Sequence, residues 1–367
     1  MLKLNFSKPL IKITFFFLLN INLFLLVSLG NLTLTSCSTT EPPDIKPPVE
    51  PDSTTQNFTF ETFEFGDGYE SNELNDVWVF DENNIWAVGY VRETISNNLS
   101  VNIIRWNGNN WFGFGRQFNS SGIYGIWAID SSNIFFAVGA VVQFKNRAFK
   151  EFDLSNLGFT QGQGVHKLWG SSENNIWGVG PNGTIVHFDG TSWSKIDFDQ
   201  QWYFYGITGD KENKKAYAFA TNNEDIRIIV ELSNSGISII HQSEQITSVK
   251  ANAINFISPN LYLAGSDFTS TLLWRFNPDT KKIDSLYVLD PRIGITNITG
   301  ITNKDIYYWG DNYGENILTH YNGKRHKTFI LPHTNNRIGG AYSIKDYSAI
   351  VGQANNKAYL IKVKRVM

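Results

Sequence analysis

Few residues of this 367-residue chain have the types and spacing that catalysis or metal binding requires. Its six histidines show none of the short spacings that place metal ligands together, such as His-Glu-x-x-His. No Gly-x-Ser-x-Gly elbow or P-loop occurs, and Cys37 is the only cysteine. Acidic residues are frequent in the predicted loops, so a carbohydrate-active enzyme with paired carboxylates stays open as an alternative. The sequence otherwise predicts a non-catalytic protein with no cofactor and no metal.

Residues 1–36 have the composition of an export signal. Lys3, Lys8 and Lys12 precede an apolar run over 13–29, and the segment contains no acid. The stretch LTSC ending at Cys37 resembles the lipobox of bacterial lipoprotein signal peptides. This resemblance implies cleavage before Cys37 and attachment of acyl chains such as palmitate to its new N-terminus. An uncleaved membrane anchor is the alternative, because the apolar run approaches the length that spans a bilayer.

Residues 37–56 are predicted to form an extended tether, because they hold five prolines and no aromatic residue. Removal of residues 1–36, with three lysines and no acid, changes the formal net charge from −3 to −6. An acidic mature domain argues against nucleic acid as a partner. It also argues against electrostatic adhesion to anionic lipid, so we expect acyl chains alone to hold the protein to the membrane.

A repeated unit fills residues 57–367. Residues 166–197 read as four short strands joined by the turns SSEN, PNG and DG. The end of the second strand recurs seven times, roughly 40–50 residues apart, which is the period of four-stranded propeller blades. These anchors are Val88-Gly89, Val138-Gly139, Val179-Gly180, Phe219-Ala220, Ala264-Gly265, Trp309-Gly310 and Val351-Gly352. The predicted fold is therefore all-β, a seven-bladed β-propeller of four-stranded blades.

The last repeat offers only about three strands, whereas residues 57–65 form a strand signal that precedes the first repeat. We expect this N-terminal strand to complete the last blade and so to close the ring.

Most repeated aromatic residues are predicted to pack rather than bind, because packing recurs in every blade and a single ligand site does not. Four residues are predicted to occupy equivalent positions in the second strand, where neighbouring blades pack: Trp86, Phe136, Trp177 and Trp309. Residues assigned to packing or to the channel lining are Trp78, Trp127 and Trp169, and those assigned to bracing the outer strand are Trp111 and Trp193. His187 and His320 share a third-strand position, which indicates a structural role.

Departures from the repeat indicate where a ligand could bind, because binding groups gather on loops held by a rigid scaffold. The expected face carries the links between blades and the turns between second and third strands. Its aromatic, amide and charged residues suit a sugar or peptide surface. The candidate ligand-binding residues are Trp202, Tyr203, Phe159, Arg92, Asp311, Tyr313, Arg292 and Arg337. The alternative for Trp202 and its neighbours is an ordinary buried strand start.

Repeats of the form NNIWAVG followed by GTIVHFDGTSW resemble those of envelope lipoprotein and BNR-like propellers of Gram-negative bacteria. The resemblance implies a binding or scaffolding role outside the cytoplasm. We therefore predict a monomeric, lipid-anchored binding module of the outer membrane, on its periplasmic or cell-surface side. Its expected partner is a carbohydrate or an envelope protein. A scaffold or assembly factor for an envelope complex is the first alternative, and the carbohydrate-active enzyme is the second.

Overall fold

The computed structural model describes residues 2–3, 54–66, 72–93, 99–115, 122–243, 250–266, 270–289, 293–312, 314–334 and 337–366. In these residues the chain forms seven small antiparallel sheets, each with four blade strands, arranged in a ring as a seven-bladed β-propeller. The predicted fold class is confirmed. Apart from Leu2–Lys3, the predicted leader lies outside the described residues, as do the predicted lipidation site Cys37 and most of the tether.

The first three blades correspond to the clearest repeats. Blade 1 comprises Glu73–Asp81, Asn84–Glu93, Leu99–Trp106 and Trp111–Gly115, with the two-residue strand Leu2–Lys3 beside the last of them. Blade 2 comprises Gly125–Asp130, Asn133–Ala137, Val141–Lys145 and Ala148–Phe152, and a short 3₁₀ helix, Ser155–Leu157, follows it. Blade 3 comprises Lys167–Ser172, Asn175–Val179, Ile185–Phe188 and Trp193–Lys195.

The remaining blades follow the same order from the channel to the rim. Blade 4 comprises Tyr203–Asp210, Lys215–Thr221, Arg227–Ser233 and Gly236–Gln242, and blade 5 comprises Lys250–Ile257, Asn260–Ser266, Thr271–Phe276 and Ile283–Leu289. Blade 6 comprises Ile293–Thr302, Asp305–Asn312, Glu315–Tyr321 and His326–Thr334. Blade 7 comprises Arg337–Ile344, Tyr347–Ala354, Lys357–Arg365 and, as its outer strand, Phe58–Phe65.

The N-terminal strand closes the ring as expected. Phe58–Phe65 pairs antiparallel with Lys357–Arg365 in continuous register, from Phe58 opposite Arg365 to Phe65 opposite Ala358. The outer strand of the last blade thus comes from the start of the propeller, which protects an edge that would otherwise be open. Because the closing strand and the hydrophobic clusters between blades lie within 54–366, these residues contain the complete ring.

The two ends of the ring follow from strand direction. Links between blades and second-to-third strand turns lie at one end, which we call the top. First-to-second and third-to-fourth strand turns lie at the other end, which we call the bottom.

Large aromatic side chains fill the space between blades. Trp86 and Trp177 are fully buried in the second strands of blades 1 and 3. The equivalent of Trp86 is Phe135 in blade 2 and Tyr307 in blade 6, because these residues pair with the corresponding first- and third-strand residues. The predicted equivalence of Phe136 and Trp309 was therefore wrong by one and two residues. An extra residue before Gly139 shifts the alignment in blade 2, although both side chains are buried as expected.

A side-chain hydrogen bond to the third strand explains why the residue before the Ile of each NNIW-type motif is Asn or Asp. In blade 3 the Asn175 Oδ1 lies 2.7 Å from His187 Nε2 on the third strand. Equivalent bonds join Asn84 Oδ1 to Arg105 Nε at 3.3 Å, Asn133 Oδ1 to Gln143 Nε2 at 2.8 Å, and Asp305 Oδ1 to His320 Nε2 at 2.7 Å. His187 and His320 thus have the same structural role in their blades.

In blade 6 this hydrogen bond belongs to a larger buried group that joins the two ends of the propeller. We call this group, Asp305, Tyr307, His320 and Arg365, the closing network. Arg365, from the last strand, donates to the Asp305 carboxylate and to the Tyr307 hydroxyl. Gln56, just before the first strand, donates to the His320 carbonyl oxygen at 2.8 Å. All four members of the network are buried.

Candidate ligand-binding site

A central channel runs between the first strands of the blades. Its cavity, of about 330 Å³, is lined by residues of all seven blades. They include Trp78, Trp127, Trp169, Thr208, Asn255, Thr299 and Tyr342. Trp78, Trp127 and Trp169 thus line the channel, and Trp127 and Trp169 also pack in the hydrophobic clusters between blades, so both predicted roles are found. The Trp78 and Tyr342 ring centroids lie 4.1 Å apart.

A second cavity, of about 460 Å³, opens at the top end of the channel. Its lining comes from blades 1, 2, 3, 4, 6 and 7, and we call it the channel mouth. Its polar and aromatic residues include Asn75, Tyr124, His166, Lys167, Tyr203, Tyr205, Arg227, Asn297 and Arg337. The mouth thus lies on the face that the sequence favoured for ligand binding.

Four aromatic residues form a continuous row along one side of the mouth, which we call the aromatic row. The Tyr124 and His166 rings are stacked with centroids 4.0 Å apart, and the Tyr203 hydroxyl lies 3.2 Å from His166 Nδ1. The Tyr203 and Tyr205 ring centroids are 4.5 Å apart. Tyr124 and Tyr205, at the ends of the row, are 37% and 52% exposed. The row therefore offers ring surface and hydroxyl groups to a molecule in the mouth.

Irregularities in strand pairing place several of the mouth residues. In blade 4 the pairing shifts between Phe204 and Gly206, so Tyr205 is the extra residue of a β-bulge. Tyr205 follows Tyr203 by two residues, so both side chains lie at the mouth while Phe204 between them is fully buried. First strands of blades 1, 6 and 7 carry shifts at the same end, and their extra residues Asn75, Thr296 and Gly339 also line the mouth. In blades 1 and 6 the bulges thus add the side chains of Asn75 and Thr296 to the lining of the mouth.

The cations of the mouth are each paired with an acid. Lys167 Nζ lies 2.8 Å from Asp76 Oδ2, across from blade 3 to blade 1. Arg337 pairs with Glu73, and Arg227 lies 3.3 Å from Asp225. Because each of these positive charges has an acidic partner, the mouth is suited to an uncharged ligand that accepts and donates hydrogen bonds.

Burial keeps the ring groups of the mouth neutral. Burial, together with the charge of Lys167, lowers the pKa of His166 to about 4. Burial also raises the pKa of Tyr203 above its usual value. His166 and Tyr203 therefore act near neutral pH as uncharged hydrogen-bonding groups.

The structure brings two of the predicted site residues, Tyr203 and Arg337, together at the mouth. Trp202 is only 7% exposed and packs with Trp169 and Phe204 in the core between blades 3 and 4. It matches the alternative of a buried strand start, and the expectation that its indole presents a binding surface is corrected accordingly.

The other candidates within the described residues lie away from the mouth. Phe159 packs at the edge of the core cluster between blades 2 and 3, with Lys195 Nζ 6.0 Å from its ring. Arg92 and Asp311 stand near the top ends of second strands; the Arg92 amide donates to Asn72 Oδ1, and Asp311 Oδ2 accepts from the Gly314 amide. Arg292 and Tyr313 lie outside the described residues.

Sequence reasoning missed Tyr124, His166, Asn75, Asn297 and Arg227 as mouth residues. Tyr124 and His166 stand immediately before first strands, a position that could have marked them as top-end residues. The bulged residues carry no such signal, since the shift in pairing depends on the neighbouring strand.

Two further observations apply to the described part of the chain alone. Its histidines and carboxylates form no group of three or more that could hold a metal ion. No helix among these residues has the length and apolar character needed to cross a membrane.

No protein-family profile and no curated protein matches this chain. Solved structures of similar fold include a structure described as YCF48 bound to D1 peptide, with a TM-score of 0.60, 10% identity, and coverage of 84% of this chain and 97% of that one. A structure of catalytically inactive virginiamycin B lyase from Staphylococcus aureus with quinupristin has a TM-score of 0.62 and 13% identity, with coverage of 84% of this chain and 100% of that one. The WD40 propeller domain of Doa1 has a TM-score of 0.60 and 11% identity, with coverage of 84% of this chain and 97% of that one. At these identities the similarities show the propeller fold.

Proposed function

We propose that this chain is a lipid-anchored, non-catalytic binding module of the bacterial cell envelope that holds a protein partner at its channel mouth. The observation that carries the proposal is the aromatic row beside amides and paired cations in one open cavity. Such a surface takes apolar side chains on its rings and backbone amides on its hydroxyl and amide groups. A partner of this kind would make the chain a scaffold or assembly factor.

Two observations support this proposal. The propeller described as YCF48 bound to D1 peptide shares the fold. The LTSC stretch at Cys37 supports attachment to a membrane, and the resemblance of the repeats supports an outer-membrane location.

A carbohydrate is the second candidate ligand, because the exposed rings of Tyr124 and Tyr205 also suit a sugar face. Two ligand libraries separate the candidates. Residues 54–367 would be tested on a random peptide display library and on a glycan array, each confirmed by calorimetry. We expect micromolar peptide binding that is lost in Tyr205→Ala and in Arg337→Ala.

The matched control is Lys281→Ala, an exposed residue in a bottom turn, which should bind as the unaltered chain does. Glycan binding with the same mutational pattern would replace the protein partner by a carbohydrate. Ligands that bind equally well to Tyr205→Ala, Arg337→Ala and Lys281→Ala would show that the binding site is not the mouth.

A further inference from the structure

The chain enters the propeller at the bottom end, opposite the mouth. Phe58–Phe65 runs antiparallel to Lys357–Arg365, so Phe58 begins beside Arg365, where the third strand of blade 7 ends at the bottom. Residues before the strand lie along the bottom of blade 6. The Thr54 amide donates to the Asn322 carbonyl oxygen at 3.3 Å, and Arg325 Nε donates to Gln56 Oε1 at 3.1 Å. Any anchor that precedes Thr54 is therefore attached at the bottom, beside blades 6 and 7.

Positive charge is concentrated in the bottom turns of blades 4 to 7. The cations in these turns are exposed, and we call them the basic sector: Lys211, Lys214, Lys281, Lys282, Lys304, Lys324, Arg325 and Lys345. Acids in the same turns are Glu212, Asp279 and Asp346, of which Asp346 pairs with Arg365. Lys282 also lies 3.0 Å from Asp284. Cations thus outnumber acids in this part of the bottom end.

The bottom turns of blades 1 to 3 have the opposite balance. Glu82, Glu173 and Asp189 stand in these turns together with one cation, Arg147, and all four side chains are exposed. Although the chain carries a net negative charge, its bottom end therefore has a basic half at blades 4 to 7 and an acidic half at blades 1 to 3. The segment at Thr54–Gln56 lies against blade 6, within the basic half.

We propose that the basic sector rests on an anionic membrane surface and turns the channel mouth away from it. Each Lys or Arg near an anionic surface strengthens binding about fivefold, and the attraction acts within about a Debye length. Ile283 and Ile301, at the bottom of blades 5 and 6, are exposed apolar residues that can enter the headgroup region. The inference rests on the proposed membrane anchoring, and it revises the expectation that charge plays no part in membrane contact.

The test measures sedimentation of residues 54–367, which carry no anchor, with vesicles of phosphatidylcholine alone or mixed equally with phosphatidylglycerol. We expect binding to the mixed vesicles at low salt and its loss at about 0.5 M NaCl, where screening is strong. Lys281→Glu/Lys324→Glu should weaken this binding at least about tenfold. The matched control, Arg147→Glu/Lys150→Glu in blade 2, changes the net charge equally and should have less than about a twofold effect. Equal loss in both variants, or equal binding to both kinds of vesicle, would overturn the proposal.

Failure here is distinguishable from failure of the proposed function. Anchoring is read separately, by incorporation of radiolabelled palmitate into the full chain in cells and its loss in Cys37→Ser. Ligand binding at the mouth should be unchanged in Lys281→Glu/Lys324→Glu, because the two surfaces lie at opposite ends of the ring.

Discussion

The channel mouth and the closing network use the same residue types for different purposes. The mouth combines His166, Tyr203 and Arg337 with Glu73, and the closing network combines His320, Tyr307 and Arg365 with Asp305. In the network, His320 and Arg365 are 0% and 7% exposed, whereas the Arg337 side chain is 64% exposed.

This difference in burial decides what each group can do. In the closing network the hydrogen bonds of Asp305 are used by residues of the protein itself, so the group joins blade 6 to the last strand. In the mouth, ring edges and hydroxyl groups still contact solvent. A constellation of Arg, His, Tyr and a carboxylate therefore indicates a binding site only where it remains accessible.

The largest expected effect is that of Arg365→Met, which leaves the Asp305 carboxylate buried without its cation. We expect a loss of about 3–5 kcal/mol in the free energy of unfolding, measured by urea denaturation. Arg337→Met at the mouth is the matched control and should cost less than about 1 kcal/mol, because its ion pair is exposed. Similar losses in the two variants would remove the distinction between the regions.

The second prediction concerns two neighbouring aromatic residues of blade 4. Trp202→Ala should cost about 3 kcal/mol because it empties part of the core, whereas Tyr205→Ala should stay within about 0.5 kcal/mol because its ring is exposed. Thermal unfolding of the two variants checks this difference. A stable Trp202→Ala protein would contradict the packing role of Trp202.

Acid should weaken the closing network. Burial lowers the pKa of His320, although Asp305 partly opposes this effect. Burial alone would raise the pKa of Asp305, but hydrogen bonds from His320 and Arg365 and the charge of Arg365 lower it. Groups whose pKa is lowered on folding stabilise the protein above their unfolded pKa values, near 6.5 for His and 3.9 for Asp, and this stabilisation is lost as the pH falls.

The melting temperature should therefore decline as the pH falls from 7 to 5, and decline again below about 4. His320→Gln should reduce the fall in melting temperature between pH 7 and 5. It should not abolish this fall, because other histidines with lowered pKa values, among them His166 and His326, still contribute to it. A melting temperature that rises between pH 7 and 5 would contradict this assignment.

The smallest change in stability should accompany the sharpest change in binding. Tyr124→Ala removes the exposed end of the aromatic row, and we expect at least a tenfold weaker affinity for peptides selected on the mouth, with a nearly unchanged melting temperature. Calorimetry measures the affinity. Ile330→Ala, an exposed apolar residue on the rim of blade 6, is the control and should leave the affinity unchanged.

Much of the fold could be predicted from the sequence because its signals are local. Turns such as PNG and DG mark strand ends, and the residue before each Ile of the NNIW-type motif fixes a bond to the third strand. The closing strand was also predictable, since one strand was spare at the start and one was missing at the end. Blades 4 and 5 were harder to recognise. In blade 4 the packing positions of the second strand hold Ala216, Ala218 and Ala220.

The site was less predictable because it depends on pairing between strands. Trp202, Tyr203 and Tyr205 look alike in the sequence, yet Trp202 packs in the core and Tyr205 is exposed at the mouth. Arg337 and Tyr203 were placed on the expected face because they stand beside the predicted links between blades, and in the structure both begin first strands. Asn75 and Asn297 come together with them only through ring closure, which brings distant blades around one channel.

Pairing between the first and last strands of the propeller also sets an order of folding. Phe58–Phe65 cannot find its partner until Lys357–Arg365 has been made, nearly the whole length of the domain later. Until then, its four phenylalanines belong to an unpaired strand, which is a template for association with other chains. Because contacts between such distant residues form slowly, closure is expected to be the last step of folding. A chain that stops short of residue 357 therefore leaves its first strand, as well as its last blade, unfinished.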